Sequence, residues 1–216
     1  MTKIQKLLVA LLITPGVAPV QNKPVVDPVP LKVGITPNFP PMIYTEGGKI
    51  TAVEADFAQA LGEALGQPVQ FVEIKWEDQI PALVDGRTDI IMSGMSITRA
   101  RELRIAFAKP CLTIGQMALV RREDAYRYTL GFPARSPGVV GVLKATTGDF
   151  LVQQEFPLSE RKAYKSGEQA AKALMKKRID LFICDAPTVW WPCRFSSPRS
   201  NWLGACAGRT PNCWIR

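Results

Sequence analysis

The feature that most limits the possible folds is a regular alternation of apolar strands and helical segments between residues 31 and 185. Strands are predicted at 31–35, 69–74, 89–92, 111–120, 139–143, 162–165 and 179–184, and helices at 54–65, 77–84, 147–155, 166–174 and from 186 onwards. Parallel strands need long crossover connections, usually helices, and such sheets place ligand sites at the carboxyl ends of their strands. The alternation therefore predicts an α/β fold with parallel-rich sheets.

The strand and helix pattern starts a second time after residue 138, which indicates two lobes. We assign residues 31–116 to lobe 1 and residues 117–191 to lobe 2, joined by a crossing near 112–120. The expected architecture is two sheets with a ligand cleft between them. The first long helix is expected to bury one apolar face, formed by Phe57, Ala58, Leu61, Ala64 and Leu65.

Residues 1–30 differ in composition from the rest of the chain. Lys3 and Lys6 precede the apolar run Leu7–Ile13, which small residues follow. This order is typical of a secretory signal peptide, and the alternative is a short buried helix. We therefore expect a signal peptide and leader in residues 1–30. The run is much shorter than the roughly 20 residues that span a bilayer, so a multi-span membrane protein is excluded.

Residues 192–216 have no helical or alternating period, and they contain three cysteines, four arginines and no acidic residue. One interpretation is a small Cys-rich appendage, but Cys193, Cys206 and Cys213 lack the spacing of a zinc site. The preferred interpretation is out-of-frame translation that replaces the natural end of the domain. We therefore expect an irregular tail that supplies no strand.

The composition excludes several function classes. The chain is 47% hydrophobic and 21% charged, which is typical of a globular protein. Its net charge of +8 comes mostly from the two ends, because residues 19–191 carry 21 basic and 19 acidic side chains. A basic nucleic-acid-binding body is therefore not indicated. The absence of histidine excludes Ser-His-Asp and Cys-His mechanisms.

Polar and aromatic residues cluster in the loops that follow predicted strands. They are Phe39, Trp76, Ser96, Thr98, Arg101, Thr147, Gly148 and Asp185. A guanidinium binds a carboxylate through two parallel hydrogen bonds, a carboxylate pairs with an ammonium, and a helix start offers free amides to an anion. Together these groups suit a zwitterion. Each also has a structural alternative: a solvated basic face for Arg101, a helix cap for Asp185, core packing for the aromatic rings and turn formation for the hydroxyls.

The same residues carry a resemblance to a known family. The segment 89–101, Asp-Ile-Ile-Met-Ser-Gly-Met-Ser-Ile-Thr-Arg-Ala-Arg, followed by Ile-Ala-Phe-Ala-Lys-Pro, resembles the D-x-I-x-x-G-x-S/T-I-T-x-x-R motif of the periplasmic amino-acid-binding proteins of ABC importers, solute-binding family 3. Supporting segments are 39–42, 53–57, 76–83, 144–148 and 180–185. The resemblance runs from about residue 31 to 191 and implies a type II periplasmic-binding-protein fold.

The resemblance implies a role for each candidate residue. Arg101 would clamp the α-carboxylate, aided by Ser96 and the backbone of Gly94, and Asp185 would take the α-ammonium. Thr147 and Gly148 would add hydrogen bonds from lobe 2. The ligand side chain would lie between Phe39 and Trp76 and touch Thr36 and Lys144. Two departures stand out: Ala-Val-Glu-Ala-Asp at 52–56 replaces G-F-D-x-D, and the return segment to lobe 1 after Asp185 is absent.

The leading hypothesis is a periplasmic, monomeric solute-binding protein that delivers an amino acid to an ABC transporter permease. It would need no cofactor, metal or catalytic residue and no nucleic-acid partner. A second hypothesis is a secreted enzyme on the same fold, a cyclohexadienyl or arogenate dehydratase, with Glu54 or Glu73 as general acid. A third is the ligand-sensing domain of a receptor. Lys144 gives a slight indication of an acidic or amide ligand side chain.

Overall fold

The structure, a computed structural model, describes residues 28–128 and 138–190 and a further strand at 202–207. The predicted signal peptide lies outside the described residues. The described part of lobe 1 contains β1 (Leu31–Ile35), β2 (Asn38–Phe39), β3 (Ile43–Glu46), β4 (Lys49–Thr51), α1 (Val53–Leu65), β5 (Val69–Glu73), α2 (Gln79–Val84), β6 (Ile90–Ile91) and α3 (Arg99–Glu102). Lobe 2 contains β7 (Gln116–Arg121), β8 (Val139–Leu143), α4 (Thr147–Glu155), β9 (Glu160–Tyr164), α5 (Gly167–Met175), β10 (Leu181–Asp185), α6 (Ala186–Trp190) and β11 (Trp202–Ala207).

Each lobe has a main sheet that is rich in parallel strands. In lobe 1, β1 pairs in parallel with β5 on one side and β6 on the other. In lobe 2, the order is β11-β7-β10-β8-β9, and β8 is parallel to both β9 and β10. Strand β7 is antiparallel to β10 and β11. The mixed α/β fold with two lobes is therefore confirmed.

The core of lobe 2 fills both faces of its sheet. Successive side chains of a strand point to opposite faces. On one face, Met117 and Phe182 pack with Leu174 of α5. On the other face, Val142 and Ile183 pack with residues of α4, including Val152. The helices that connect the strands thus cover the sheet from both sides.

Helix α1 is correctly placed in sequence, but its predicted buried face is only partly correct: Ala58 is buried and Leu61 packs against the same core. The structure buries Glu54, Ala55, Ala58 and Gly62, whereas Phe57 and Leu65 are exposed. The reason is close packing, because a Cβ at Gly62 would lie 2.5 Å from Cγ2 of Val69. A helix that lies this near a strand turns its small residues inward. Gly66, with φ 65° in the left-handed region, ends the helix as expected.

Three shorter segments differ from expectation. The predicted strand at 111–120 begins only at Gln116, and the segment after β1, where no strand was predicted, contains β2, which pairs with β3 in a small antiparallel sheet. The helix predicted at 77–84 begins as a 3₁₀ turn over Trp76–Asp78. Isolated two-residue pairings and a late strand start depend on tertiary contacts that periodicity does not reveal.

The tail also differs from expectation, because β11 forms where no strand was expected. Its six residues pair antiparallel with β7, from Trp202 opposite Arg121 to Ala207 opposite Gln116. Antiparallel pairing uses backbone amides and carbonyls, so it needs no alternating apolar pattern. Within the described residues, no helix is both long and apolar enough to cross a bilayer.

Candidate functional site

A cleft of about 1320 Å³ lies between the two lobes and is lined by the loops that follow their strands. Parallel strands bring their carboxyl ends to one edge of a sheet, and here two such edges face each other. The cleft wall includes eight of the residues named from the sequence: Phe39, Trp76, Gly94, Ser96, Arg101, Lys144, Thr147 and Asp185. Thr36 also lines it. Residues far apart in sequence therefore meet at one place.

Arg101 is held rigidly in lobe 1. Its guanidinium is largely buried, with only 8% of the residue exposed, and Nη1 donates to the carbonyl of Ser96 at 2.8 Å. The guanidinium lies 5.3 Å from the centroid of the Trp76 ring, within cation–π distance. Burial lowers the pKa of Arg101, and the charge of Asp185 opposes this shift. An arginine remains protonated at any physiological pH, so Arg101 is a fixed positive charge in the cleft.

Ala145 links lobe 2 directly to Arg101 and Trp76. Its carbonyl accepts hydrogen bonds from Nε1 of Trp76 at 3.0 Å and from Nη2 of Arg101 at 3.3 Å. Ala145 has φ 59°, a left-handed conformation that costs energy for a residue other than glycine. Its amide donates to Oδ2 of Asp149 at 2.8 Å, which helps to hold this turn. The turn thus aims a carbonyl across the cleft.

Asp185 is the negative counterpart in lobe 2. It ends β10, and its Oδ1 accepts hydrogen bonds from Nε2 of Gln116 and, at 3.3 Å, from Oγ1 of Thr147. Burial raises the pKa of Asp185, whereas these hydrogen bonds and the charge of Arg101 act in the opposite direction. The charges of Asp185 and Arg101 therefore each oppose the pKa shift that burial causes in the other group, and one charge lies on each wall of the cleft.

Lys144 has a partner in the other lobe. Its Nζ lies 3.0 Å from Oε1 of Glu77, and both side chains are largely solvent-exposed. A hydrogen bond from the backbone of Glu77 itself lowers the pKa of its carboxyl, and the hydrogen bond from Lys144 lowers it further. Because Glu77 compensates its charge, Lys144 gives less reason to expect an acidic ligand side chain than the sequence alone suggested.

The loop around Gly94 fits closely against an aromatic ring. Gly94 has φ 65°, and a Cβ there would lie 2.5 Å from Cε1 of Phe39. Its amide donates to both carboxylate oxygens of Glu54, at 2.8 and 2.9 Å. Burial raises the pKa of Glu54, and the bond from Gly94 opposes the shift. Glu54, at the site of a departure from the family motif, thus anchors the loop.

Two residues named from the sequence take supporting places outside the cleft lining. Thr98 caps α3, and its Oγ1 accepts a hydrogen bond from the amide of Arg101 at 3.3 Å. Gly148 is buried against the sheet, where a Cβ would lie 2.7 Å from Oε1 of Gln116. Thr36 lines the cleft, but its Oγ1 donates to the carbonyl of Ile74 at 2.7 Å. Thr98 and Gly148 therefore support the site from outside the cleft lining, whereas Thr36 lines the cleft with its hydroxyl already bonded.

Sequence reasoning missed Gln116 as a residue of the site, and it considered Glu54 only as a possible acid. Gln116 binds both Asp185 and Thr147. It could have been found from strand register, because β7 runs antiparallel to β10 and places Gln116 opposite Asp185. Because the strand was predicted to start at residue 111, the sequence alone did not indicate that Gln116 lies opposite Asp185.

Two cysteines lie in residues 28–128 and 138–190, and both are free. Cys184 is buried in β10, and burial raises the pKa of its thiol. Cys111 is exposed in a loop before β7, so its expected place in an apolar strand is wrong. The described residues contain no cluster of Cys, Asp or Glu arranged to hold a metal ion.

Two α/β lobes around a cleft with a buried cation, Arg101, and a partly buried carboxyl, Asp185, form a site of the kind that suits a small zwitterion. Residues 31–185 match the bacterial extracellular solute-binding proteins, family 3, and the chain belongs to that family.

Relatives in this family include both binding proteins and an enzyme. The chain is 27% identical to a probable histidine-binding protein of Campylobacter jejuni over 74% of this chain and 61% of that protein. It is 31% identical to a cyclohexadienyl dehydratase of Pseudomonas aeruginosa over 72% of this chain and 59% of that enzyme. The chain thus spans about three fifths of the length of these relatives.

A solved structure shows the same fold. It is an ancestral amino-acid-binding protein, AncCDT-1, described as a precursor of cyclohexadienyl dehydratase. The TM-score is 0.72 at 29% sequence identity, and the match covers 76% of this chain and 73% of that chain. The likeness supports the two-lobed type II architecture expected from the sequence.

Proposed function

We propose that this protein captures a free α-amino acid between its lobes and presents it to the permease of an ABC transporter. The observation that carries the proposal is the placement of Arg101 and Asp185 on opposite walls of one cleft. An α-carboxylate satisfies the guanidinium, and an α-ammonium satisfies the carboxylate. Only a ligand with both charges bridges the two lobes in this way.

The aromatic residues of the cleft supply the remaining binding energy. Trp76 lies within cation–π distance of Arg101, and Phe39 packs against Gly94 and lines the same cleft. Rings of this size exclude water and strengthen nearby electrostatic interactions. The family's binding proteins named above support amino acids as the ligand class.

Isothermal titration calorimetry tests the ligand class. The full chain is titrated with a panel of amino acids, and the best ligand is then compared with its α-hydroxy acid and its decarboxylated amine. We expect each analogue to bind at least about tenfold more weakly, because each leaves one buried charge unpaired. Equal affinity for an analogue that lacks the amine would contradict the zwitterion proposal.

Export to the periplasm is part of the same proposal. The family is extracellular, and residues 1–18 have the order of a secretory signal. Fractionation of the producing cells and mass spectrometry of the secreted chain test this. We expect loss of the first 18 to 25 residues, and an intact chain confined to the cytoplasm would oppose export.

A dehydratase is the second candidate, because one relative has that activity and the pKa of Asp185 is raised. A carboxyl with a raised pKa can act as a general acid. The acids first considered are less suitable: Glu54 binds the amide of Gly94, Glu73 is exposed at the end of β5, and neither lines the described cleft. Turnover of a cyclohexadienyl substrate, followed by its change in absorbance, would favour the enzyme over the binding protein.

A further inference from the structure

Gln116 lies where the chain enters lobe 2 and is in direct register with Asp185. The two residues are cross-strand partners in the antiparallel pairing of β7 with β10. Next to them, the amide of Ala186 donates to the carbonyl of Gly115 at 3.0 Å. The backbone therefore fixes the distance between Gln116 and Asp185.

The side-chain amide of Gln116 serves two residues of the cleft. Nε2 donates to Oδ1 of Asp185 and, at 2.9 Å, to Oγ1 of Thr147. The hydrogen bonds that Asp185 accepts from described residues fall on Oδ1. A carboxylate held by one oxygen keeps the other for a ligand.

The orientation of this amide is determined by its neighbours. Oε1 of Gln116 is buried without a hydrogen-bond partner among the described residues. The reversed amide would place Oε1 against the carboxylate of Asp185, where two acceptors repel each other. Gly148 makes the observed orientation possible, because any Cβ there would lie 2.7 Å from Oε1.

We propose that Gln116 is the positioning residue of the ammonium site, and that the glycine at position 148 leaves room for the side-chain amide of Gln116. Gln116 holds Asp185 by one oxygen and keeps the carboxylate ionised toward the cleft. This inference rests on the proposed function and gives Gly148 a role other than direct ligand contact. The charged group that acts on Asp185 is Arg101 across the cleft, and Asp185 in turn helps burial to raise the pKa of the Cys184 thiol beside it.

The first measurement needs no ligand. Carbon NMR of labelled aspartate carboxyls gives the pKa of Asp185 in the wild-type protein and in Gln116→Met, which has similar length but no amide. Burial already raises the pKa of Asp185, and loss of the opposing hydrogen bond raises it further. We expect an upward shift of about one pH unit.

Gln79→Leu is the matched control. Gln79 is a fully buried glutamine of lobe 1, and its Nε2 donates to Oγ1 of Thr36 at 2.9 Å. Like Gln116, it has a buried Oε1 without a partner among the described residues. Its replacement removes a comparable amide but leaves the pKa of Asp185 unchanged. An equal shift of the Asp185 pKa in Gln116→Met and Gln79→Leu would show that Gln116 has only a structural role.

Gly148→Ala provides an independent variant, since its new methyl group displaces the amide of Gln116 without removing it. We expect the same upward shift of the Asp185 pKa. In calorimetry, the pH below which an amino acid loses affinity should move upward by the same amount in both variants. An Asp185 pKa that stays at its wild-type value in Gln116→Met and Gly148→Ala overturns the inference. Failure of the wild-type protein to bind any amino acid overturns the proposed function instead.

Discussion

The two lobes share an α/β architecture but differ in the size of their main sheets and in the extent of their buried cores. The main sheet of lobe 2 has five strands and buried side chains on both faces, whereas the main sheet of the described part of lobe 1 has three strands, one of them only two residues long. Both lobes leave some large apolar side chains exposed, such as Phe57 in lobe 1 and Phe150 in lobe 2. The difference in sheet size shows that, among the described residues, lobe 2 has the more extensive core. Lobe 1 nevertheless supplies the buried Arg101, so the proposed binding depends on the lobe with the smaller core.

The largest expected effect compares one phenylalanine from each lobe. Phe182 is 1% exposed, whereas Phe57 is 49% exposed. Phe182→Ala should lower the free energy of unfolding by about 3–5 kcal/mol, because it opens a cavity in a packed core. Phe57→Ala should change it by less than about 1 kcal/mol. Urea unfolding measures both, and equal losses would show that the lobes do not differ in packing.

The next effect concerns the charge of lobe 1. Arg101→Ala should weaken amino-acid binding by about 2–5 kcal/mol, since it leaves the ligand carboxylate desolvated and unpaired. Arg99→Ala is the control, because Arg99 lies in the same helix but is exposed. Calorimetry on both variants gives the result, with circular dichroism to confirm the fold. Similar losses of binding free energy in both variants would show that Arg101 acts only as one charge of a basic surface.

Asp185→Asn tests the charge of lobe 2 and should act on binding and stability in opposite directions. Binding should weaken by about 1–3 kcal/mol, because the ammonium loses its counter-charge. The folded-state pKa of Asp185 is raised, so its ionisation costs stability as pH rises from the unfolded-state value through the folded-state pKa. The variant should therefore melt at a higher temperature than wild type at neutral pH. A gain in melting temperature that persists in acid, where Asp185 is protonated, would rule out the ionisation of Asp185 as the cause.

The smallest effect is expected from the contact between Lys144 and Glu77 across the cleft. Both side chains are largely exposed, so solvent screens the pair. A double-mutant cycle with Lys144→Met and Glu77→Gln, followed by urea unfolding, should give a coupling in the free energy of unfolding below about 1 kcal/mol. A larger coupling would mean that this pair holds the lobes together more strongly than an exposed ion pair can, in addition to the hydrogen bonds from Trp76 and Arg101 to the carbonyl of Ala145.

Sequence periodicity located the residues that follow strands but not the contacts that depend on register. Arg101 and Asp185 were predictable because each comes soon after an apolar strand. Gln116 was not, since its partner is fixed only when β7 pairs with β10. Part of the buried face of α1 was mispredicted, because Gly62 lets the helix approach Val69, and this approach buries small residues while Phe57 and Leu65 stay exposed. Close packing overrides apolar periodicity at such points.

The pairing of β11 with β7 has a consequence for how this end of the chain can vary. Six consecutive residues pair through main-chain groups that every amino acid except proline possesses. Substitutions by residues other than proline should therefore retain the backbone pairing of Trp202–Ala207. Because β11 is the edge strand of its sheet, even proline should be accepted where the replaced amide points away from β7.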